Sequence, residues 1–195
     1  MEAIDKTLKI EKIIKLILIT ILGSILITIS AKIKIPFYPV PMTMQTFVVL
    51  FLGIAFGFKI GLLTVSLYLL EGIVGLPVFA NSPEKGIGLI YFTGPTMGYL
   101  IGFLVAVYFA GIRIDWPNWD NNKYLNVLAI FSRLVVSVSF IYILGLLWLG
   151  YLIGWDKPIF KLGAQPFLLA ELFKLILLTV LYPWIKKIKK LIKII

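Results

Sequence analysis

The strongest constraint on this chain is its succession of six apolar runs, which are separated by segments rich in Pro, Gly and charged residues. Hydrophobic residues make up 61% of the 195 positions and charged residues only 14%, and the mean hydropathy is +1.03. Runs of this kind belong in lipid, where only helices and closed barrels satisfy their own backbone. The sequence therefore predicts an all-α, polytopic membrane protein that forms one membrane domain over residues 1–195.

Six transmembrane helices are predicted, which places both termini on the same side of the membrane. The predicted spans are 13–31, 44–57, 60–75, 93–111, 125–153 and 166–185. The segments on the side of the termini carry twelve Lys and Arg residues, and the segments on the other side carry five. Because cytoplasmic segments are richer in Lys and Arg, both termini are predicted to be cytoplasmic, in a multi-pass protein of the cell membrane.

The absence of two residue types excludes several kinds of chemistry. The chain has no Cys and no His, which excludes thiol nucleophiles, disulfides, His acid–base chemistry and ordinary Cys/His metal sites, and no cofactor is predicted. The net charge of +10 is concentrated at the ends of the apolar runs and at the termini. That distribution indicates membrane topology and contact with membrane lipid, not a nucleic-acid partner.

Two opposite charges, Glu171 and Lys174, lie inside the last apolar run. A charge near the bilayer centre costs at least about 2.5 kcal/mol, so such residues usually face a protein interior and a substrate. Their i, i+3 spacing puts both on one helix face, about 8–12 Å below the helix start near Pro166. They are the first candidates for a binding site, with a purely structural ion pair as the alternative.

Two unusual loops are predicted to lie on the outer side, above the charged pair. The 32–43 loop has three prolines in six residues, which forbid a helix, and the 76–93 loop is long and rich in Gly, Asn, Ser and Pro. A phosphate-binding loop at 88–96 is rejected, because it lacks the required Lys and Pro95 removes a backbone donor. The two loops and the charged pair indicate an external capture site.

The first span carries a row of small residues at helical spacing. They are Gly23, Ser24, Thr28 and Ala31. Small residues let another helix approach closely, so this row is a candidate docking face for a partner protein. Packing inside the chain is an equal alternative.

A second row of small residues, Gly94, Gly98 and Gly102, is interpreted as helix packing.

Two further charges, Glu71 and Arg133, lie inside apolar runs. Each is interpreted as a side chain that reaches the membrane interface, with a buried functional role for Glu71 and a partner contact for Arg133 as the alternatives.

Four sequence motifs stand in order along the chain: PVPMTMQT at 39–46, GLPVFA at 75–80, GPTMGYLIGF at 94–103 and PFLLAELFK at 166–174. Together they resemble the motifs of BioY, the biotin-specific substrate-binding subunit of energy-coupling-factor transporters. The resemblance covers residues 20–185, nearly the whole chain.

The resemblance implies a six-helix subunit that captures biotin outside the cell. Such a subunit delivers biotin after docking on a transmembrane coupling protein that two cytoplasmic ATPases drive. The resemblance also implies that Glu171, Lys174 and Asn81 contribute to biotin binding. The family usually shows Asp where this chain has Glu171, and the extra methylene moves the carboxylate by roughly one C–C bond.

The chemistry of biotin suits these side chains. Biotin offers ureido N–H donors, a ureido carbonyl, an apolar bicycle and a carboxylate tail. Glu171 can accept from the N–H groups, Asn81 can donate or accept, and Lys174 can meet either the ureido oxygen or the carboxylate. Phe79, Tyr91 and Tyr99 are predicted to wall the bicycle, with packing or interface anchoring as the alternative.

Two other functions remain as alternatives. An intramembrane enzyme would use Glu171 as a general base, but no obvious nucleophile accompanies it in the sequence. A stand-alone secondary transporter of a small vitamin-like molecule would use the charged pair as an ion relay, but the two halves show no inverted repeat. Product formation would reveal the first, and uptake that depends on the proton gradient and survives ATP depletion would reveal the second.

Overall fold

The computed structural model describes residues 2–36, 38–112 and 123–192, which are mostly helical. The helices are α1 (Glu2–Lys32), α2 (Gln45–Phe56), α3 (Phe58–Ile73), α4 (Met97–Gly111), α5 (Lys123–Ile153), α6 (Ile159–Gly163) and α7 (Leu168–Ile192). Short 3₁₀ segments occupy Gly88–Thr93 and Gln165–Phe167. Strand β1 (Lys34–Ile35) pairs antiparallel with β2 (Met42–Thr43), so that the Pro-rich loop forms a small hairpin.

Within the described part of the chain, three helical stretches are long and apolar enough to cross a membrane, namely Ile10–Lys32, Tyr124–Ile153 and Ile159–Ile188. α2 and α4 are shorter apolar helices, and α3 has 16 residues. Each predicted span coincides with one of α1 to α5 or α7, although α7 continues through the basic tail to Ile192. The helical class is therefore confirmed, whereas six crossings and the orientation of the termini stay predictions.

α2 is the central helix of the bundle, since nine of its 12 residues are buried. It turns into α3 at Gly57, whose φ of 83° lies in the left-handed region that glycine adopts without strain. α2 packs against α1, α3, α4, α5 and α7. The first turn of α2, which begins at Gln45, therefore lies in the middle of the bundle.

Two glycines let α4 pack directly on α5. A Cβ at Gly102 would lie 2.7 Å from Ile141 Cα, and one at Gly98 would overlap the Leu144 carbonyl. The packing interpretation of the second small-residue row is thus confirmed for Gly98 and Gly102. Gly94 lies instead in extended backbone before α4 begins.

The small-residue row of α1 is largely covered by the chain's own helices. A Cβ on Gly23 would lie 2.6 Å from Thr64 Cγ2, and Ser24 and Ala31 are fully buried. Thr28 is half-buried. At Gly23 a side chain of the bundle already occupies the space that a partner helix would need, which favours the packing alternative there. Docking there would require α1 to separate from α3, and it stays a prediction.

The two isolated charges both have partners inside the chain. Glu71 accepts a hydrogen bond from Ser24 Oγ. Arg133 Nη1 donates to the Ile112 carbonyl at 3.1 Å, at the C-terminal end of α4, where helix carbonyls lack intrahelical partners. Arg133 therefore follows the partner-contact alternative and caps a helix. Of the segment between the fourth and fifth predicted spans, residues 113–122 lie outside the described residues.

Candidate functional site

A cavity lies between the β1–β2 hairpin, α2, α4, α5 and α7. It holds about 560 Å³ of empty space, counting the part that opens to solvent. Its wall is mostly apolar and aromatic, with Tyr91, Tyr99, Phe103 and Phe167 among the lining residues. Among the described residues that line the cavity, Glu171 is the only charged one. An apolar and aromatic wall with few polar groups is typical of a small-molecule site.

Glu171 and Lys174 form an ion pair on the face of α7 that packs against α2. Lys174 Nζ lies 2.7 Å from Glu171 Oε1, and the two side chains are 5% and 6% exposed, Lys174 first. Lys174 Nζ also donates to the Thr43 carbonyl at 2.7 Å and to Thr46 Oγ1 at 3.0 Å. Thr46 Oγ1 in turn donates to Glu171 Oε1 at 2.9 Å. These four residues form one buried polar network.

The two oxygens of Glu171 have different surroundings. Oε1 accepts from Lys174 and Thr46, whereas no described residue donates a hydrogen bond to the buried Oε2. Tyr142 interacts with Glu171 electrostatically and through a side-chain hydrogen bond, but no hydrogen bond of normal geometry reaches Oε2. Leaving a buried acceptor unpaired costs about 1–3 kcal/mol, so Oε2 is placed to accept a donor from a guest.

Lys174 does not line this cavity. It lines an open apolar groove on the other side of β2, which we call the lateral groove. The groove is also lined by Ile33 and Ile35 of the hairpin and by Leu169, Leu172 and Phe173 of α7. Met42 and Thr43 line both the cavity and the groove. β2 is therefore a wall shared by the two spaces, and Lys174 lies on the groove side.

The aromatic and amide candidates occupy two layers. Tyr91 lines the cavity, and Phe79 stacks behind it with ring centroids 4.6 Å apart. Asn81 lies outside the lining: its backbone N–H donates to Tyr91 Oη at 3.2 Å, and its side-chain oxygen accepts from Lys34 at 3.2 Å. Tyr99 lines the cavity while its hydroxyl donates to the Gly163 carbonyl. The structure thus brings Tyr91 and Tyr99 to the cavity and places Phe79 and Asn81 behind its wall.

Burial raises the pKa of the Tyr91 phenol above its ordinary value. Tyr91 therefore stays neutral at physiological pH and presents the cavity with an uncharged ring. Glu171 therefore remains the only anionic side chain among the described residues that line the cavity.

Two lysines hold the loop that follows α3, and we call them the lysine clamp. Lys32 Nζ donates to the carbonyls of Phe79, at 2.8 Å, and Ser82, at 2.7 Å. Lys34 Nζ donates to the Ala80 carbonyl at 2.7 Å. Because Ala80 lines the cavity, the clamp fixes one wall of the cavity through backbone carbonyls.

Sequence reasoning did not single out Gln45, Thr46 or Tyr142 as site residues. Gln45 lines the cavity and donates to Tyr68 Oη at 2.8 Å, and Tyr68 Oη donates to the Val78 carbonyl at 3.3 Å. A sequence signal existed for two of them, since Gln45 and Thr46 close the Pro-rich motif. Tyr142 stands far from both ends of an apolar run, where an interfacial role does not explain a hydroxyl.

Known proteins resemble the chain over nearly its whole length. A family model described as the BioY family matches residues 4–191. A protein named "Biotin transporter BioY" from Thermotoga maritima is 34% identical over 164 residues, which are 84% of this chain and 91% of that protein. A "Probable biotin transporter BioY" from Pyrococcus horikoshii is 33% identical over 149 residues, 76% of this chain and 82% of that protein.

One solved structure shares the fold. It is a crystal structure of the S-component for biotin from an ECF-type ABC transporter, and it matches with a TM-score of 0.67 and 23% identity. The match covers 91% of this chain and 93% of that chain.

Proposed function

This chain belongs to the BioY family, and from that premise we propose that it captures biotin at the outer face of the membrane, as the substrate-binding subunit of an ATP-driven vitamin importer. The relatives carry the names of transporters, so the family is one of transporters and not of enzymes. A stand-alone secondary transporter is the remaining alternative, and no contact in the described residues favours it.

The observation that carries the proposal is the free oxygen of Glu171. Oε2 is buried, lacks a donor among the described residues and belongs to the only charged residue that they contribute to the cavity lining. The ureido group of biotin supplies N–H donors that satisfy such an oxygen through charge-assisted hydrogen bonds. A ligand with acceptors alone would leave Oε2 unpaired.

The remaining lining suits the other parts of biotin. Tyr91, Tyr99 and Phe103 offer aromatic surface for the apolar bicycle. The carboxylate tail carries the same charge as Glu171, so we place the ureido ring at Glu171 and the tail toward the mouth of the cavity.

The binding proposal is tested with the purified chain alone, reconstituted in lipid nanodiscs without ATP. Titration calorimetry with biotin, desthiobiotin, thiamin and riboflavin is expected to show saturable, tight binding of biotin and none of thiamin or riboflavin. The binding site belongs to this chain, so no energy source is required. A folded preparation that does not bind biotin would contradict the proposal.

We propose that the six helices α1 to α5 and α7 all cross the cell membrane, with both termini in the cytoplasm. The excess of Lys and Arg on the side of the termini supports this orientation. Since the chain has no Cys, single cysteines report on topology directly. A membrane-impermeant maleimide added to intact cells should label Lys85→Cys and spare Lys187→Cys; the reverse pattern would invert the topology.

A transmembrane coupling subunit and two cytoplasmic ATPase subunits are the proposed partners. With these subunits present, biotin uptake into cells should stop on ATP depletion and survive collapse of the proton gradient. Uptake that depends on the gradient and survives ATP depletion would instead support the secondary-transporter alternative.

A further inference from the structure

We propose that the lateral groove is a binding site for one phospholipid of the outer leaflet. An acyl chain lies between the hairpin and α7, and an anionic headgroup lies beside Lys34. This site rests on the proposed topology, in which the hairpin faces outward, and it is independent of biotin binding.

The length of the lateral groove matches one leaflet of a membrane. The groove holds about 1460 Å³ of space, counting the part that opens to the surroundings. Its lining on α7 extends from Pro166 to Leu177, which at 1.5 Å per residue is about 16 Å. Half of the hydrocarbon core of a bilayer is about 15 Å thick. The groove is therefore about as long as an acyl chain of one leaflet is deep.

The rim of the groove consists of large apolar side chains, which favour an acyl chain over a helix of another protein. Ile33, Leu169 and Phe173 are each more than half exposed. Contacts between helices in membranes are enriched in small residues, which let two backbones approach closely, and these side chains would hold a helix away. An acyl chain is thin and flexible, so it fits between them and gains many dispersion contacts.

Lys34 brings an ammonium group to the hairpin end of the groove. The register of the hairpin places Lys34 opposite Thr43, and both residues line the groove. A lysine ammonium has three N–H donors. Two of them are used, by the Ala80 carbonyl at 2.7 Å and by the side-chain oxygen of Asn81 at 3.2 Å. The described residues provide no third acceptor, so one N–H remains for a phosphate oxygen.

The positive charge of Lys34 is not balanced within the described part of the chain. Its two acceptors are a carbonyl and an amide oxygen, and neither is charged. Glu84 interacts electrostatically with the neighbouring Lys32, so it offsets one of two positive charges. Lys174, which also lines the groove, is paired with Glu171. Lys34 is thus the unpaired cation among the described lining residues, and a headgroup with net negative charge complements it.

Single cysteines labelled with the fluorophore bimane test the site, because the chain has no Cys of its own. Phe173→Cys reports on the groove, about two turns below Pro166. Ile25→Cys reports on ordinary lipid contact, since Ile25 is exposed on α1 about two turns below Lys32. Each labelled protein is placed in phosphatidylcholine nanodiscs that contain a minor fraction of either phosphatidylglycerol or phosphatidylcholine with brominated acyl chains, which quench bimane on contact.

Quenching of the Phe173→Cys label should show phosphatidylglycerol associating about fivefold more strongly than phosphatidylcholine, because one ammonium meets the anionic headgroup. The Ile25→Cys label should show no preference. Equal quenching at the two positions would overturn the proposal. Weaker quenching at Phe173→Cys would also overturn it, because lipid would then not enter the groove.

Three lysine variants identify the headgroup contact. Lys34→Met should abolish the preference at the Phe173→Cys label, and Lys34→Arg, which keeps the charge, should retain it. Lys32→Met is the matched control, because Lys32 holds the same loop but does not line the groove, and the preference should persist. Equal losses in Lys34→Met and Lys32→Met would overturn the proposal, since they would indicate a diffuse attraction to a basic surface.

Native mass spectrometry of the unlabelled chain measures the same site independently. One phosphatidylglycerol should remain bound per chain, and soluble glycerophosphoglycerol, the headgroup without acyl chains, should not displace it. Displacement by the headgroup alone would contradict a site built on the groove. The two cysteine reporters need no lysine variant, so they test the site even if Lys34→Met does not fold. Absence of biotin binding would contradict the proposed function and is a separate result.

Discussion

The cavity has two walls that are held in opposite ways. On α7, Glu171 is fixed by the side chains of Lys174 and Thr46, all buried in the bundle. On the loop after α3, Ala80 is fixed by the lysine clamp, whose partners are mainly backbone carbonyls and whose Lys32 is largely exposed. The first wall depends on which side chains are present, and the second depends mainly on the path of the backbone.

The difference in burial also separates the two walls energetically. Breaking one partner of a buried charged pair leaves the other charge without compensation, which is strongly destabilising. Lysines that are partly exposed gain less from their bonds, because water replaces what is lost. We therefore expect large effects on affinity from the α7 wall and small ones from the loop wall.

The largest effect is expected from Glu171→Gln. The substitution keeps the shape of the side chain but removes its charge, and the amide can turn an N–H group toward the cavity in place of Oε2. Affinity for biotin should fall by about 2–5 kcal/mol, measured by calorimetry in nanodiscs. Glu84→Gln, on an exposed part of the loop, is the control and should bind like the parent. Parent-like binding by Glu171→Gln would show that the α7 wall does not take part in binding biotin.

The next effect is expected from Tyr68→Phe, because the Tyr68 hydroxyl joins α2 to the loop after α3. It accepts from Gln45 and donates to the Val78 carbonyl, and the residue is fully buried. The substitution keeps the ring contact with Phe79 but leaves two buried polar groups unpaired, which should lower the free energy of unfolding by about 1–3 kcal/mol. Chemical unfolding measures this loss. Tyr151→Phe, at an exposed position, should leave stability unchanged.

A smaller effect is expected from removing the lysine clamp with the double substitution Lys32→Met and Lys34→Met. The loop should open more often, with faster hydrogen exchange at the amides of Asn81 to Gly86. Biotin should dissociate about fivefold faster, which corresponds to about 1 kcal/mol for partly exposed charged hydrogen bonds. An effect as large as that of Glu171→Gln would contradict the ranking of the two walls.

The smallest effect is expected from Asn81→Ala. The side chain of Asn81 accepts only from Lys34 among the described residues, while the bond from its backbone N–H to Tyr91 survives the substitution. Affinity should change by less than about 1 kcal/mol. A loss of the size expected for Glu171 would instead show that Asn81 contacts biotin, as the family resemblance implies.

The helices and the charged pair were predictable from the sequence for the same physical reason. Lipid tolerates long apolar helices and penalises isolated charges, so the apolar runs marked the helices and Glu171 with Lys174 marked a buried site. The predicted start of α4 and the predicted end of α7 were less accurate. Hydropathy does not mark the turn that precedes α4, and the helix of α7 continues into the basic tail after its apolar run has ended.

The details of the site depended on tertiary contacts that local sequence does not encode. Small residues such as Ser24 and Ala31 permit close approach but do not identify the helix that approaches. The spacing of Glu171 and Lys174 indicated that they could pair, yet only the position of β2 shows that Glu171 lines the cavity and Lys174 lines the groove. Thr46 became visible as the link between them only once α2 was packed against α7.

Because β2 is a wall of both the cavity and the lateral groove, we expect the lipid or detergent around the protein to affect every measurement of biotin binding. The lateral groove is apolar and exposed on the flank of α7, where Leu169 and Phe173 are 81% and 68% exposed, so lipid or detergent tails are its natural contents. Met42 and Thr43 line both the groove and the cavity, so tails in the groove would contact the same two residues as a ligand in the cavity. The dissociation constant of biotin should therefore vary with the chain length of the detergent, as it would not for a water-soluble binding protein.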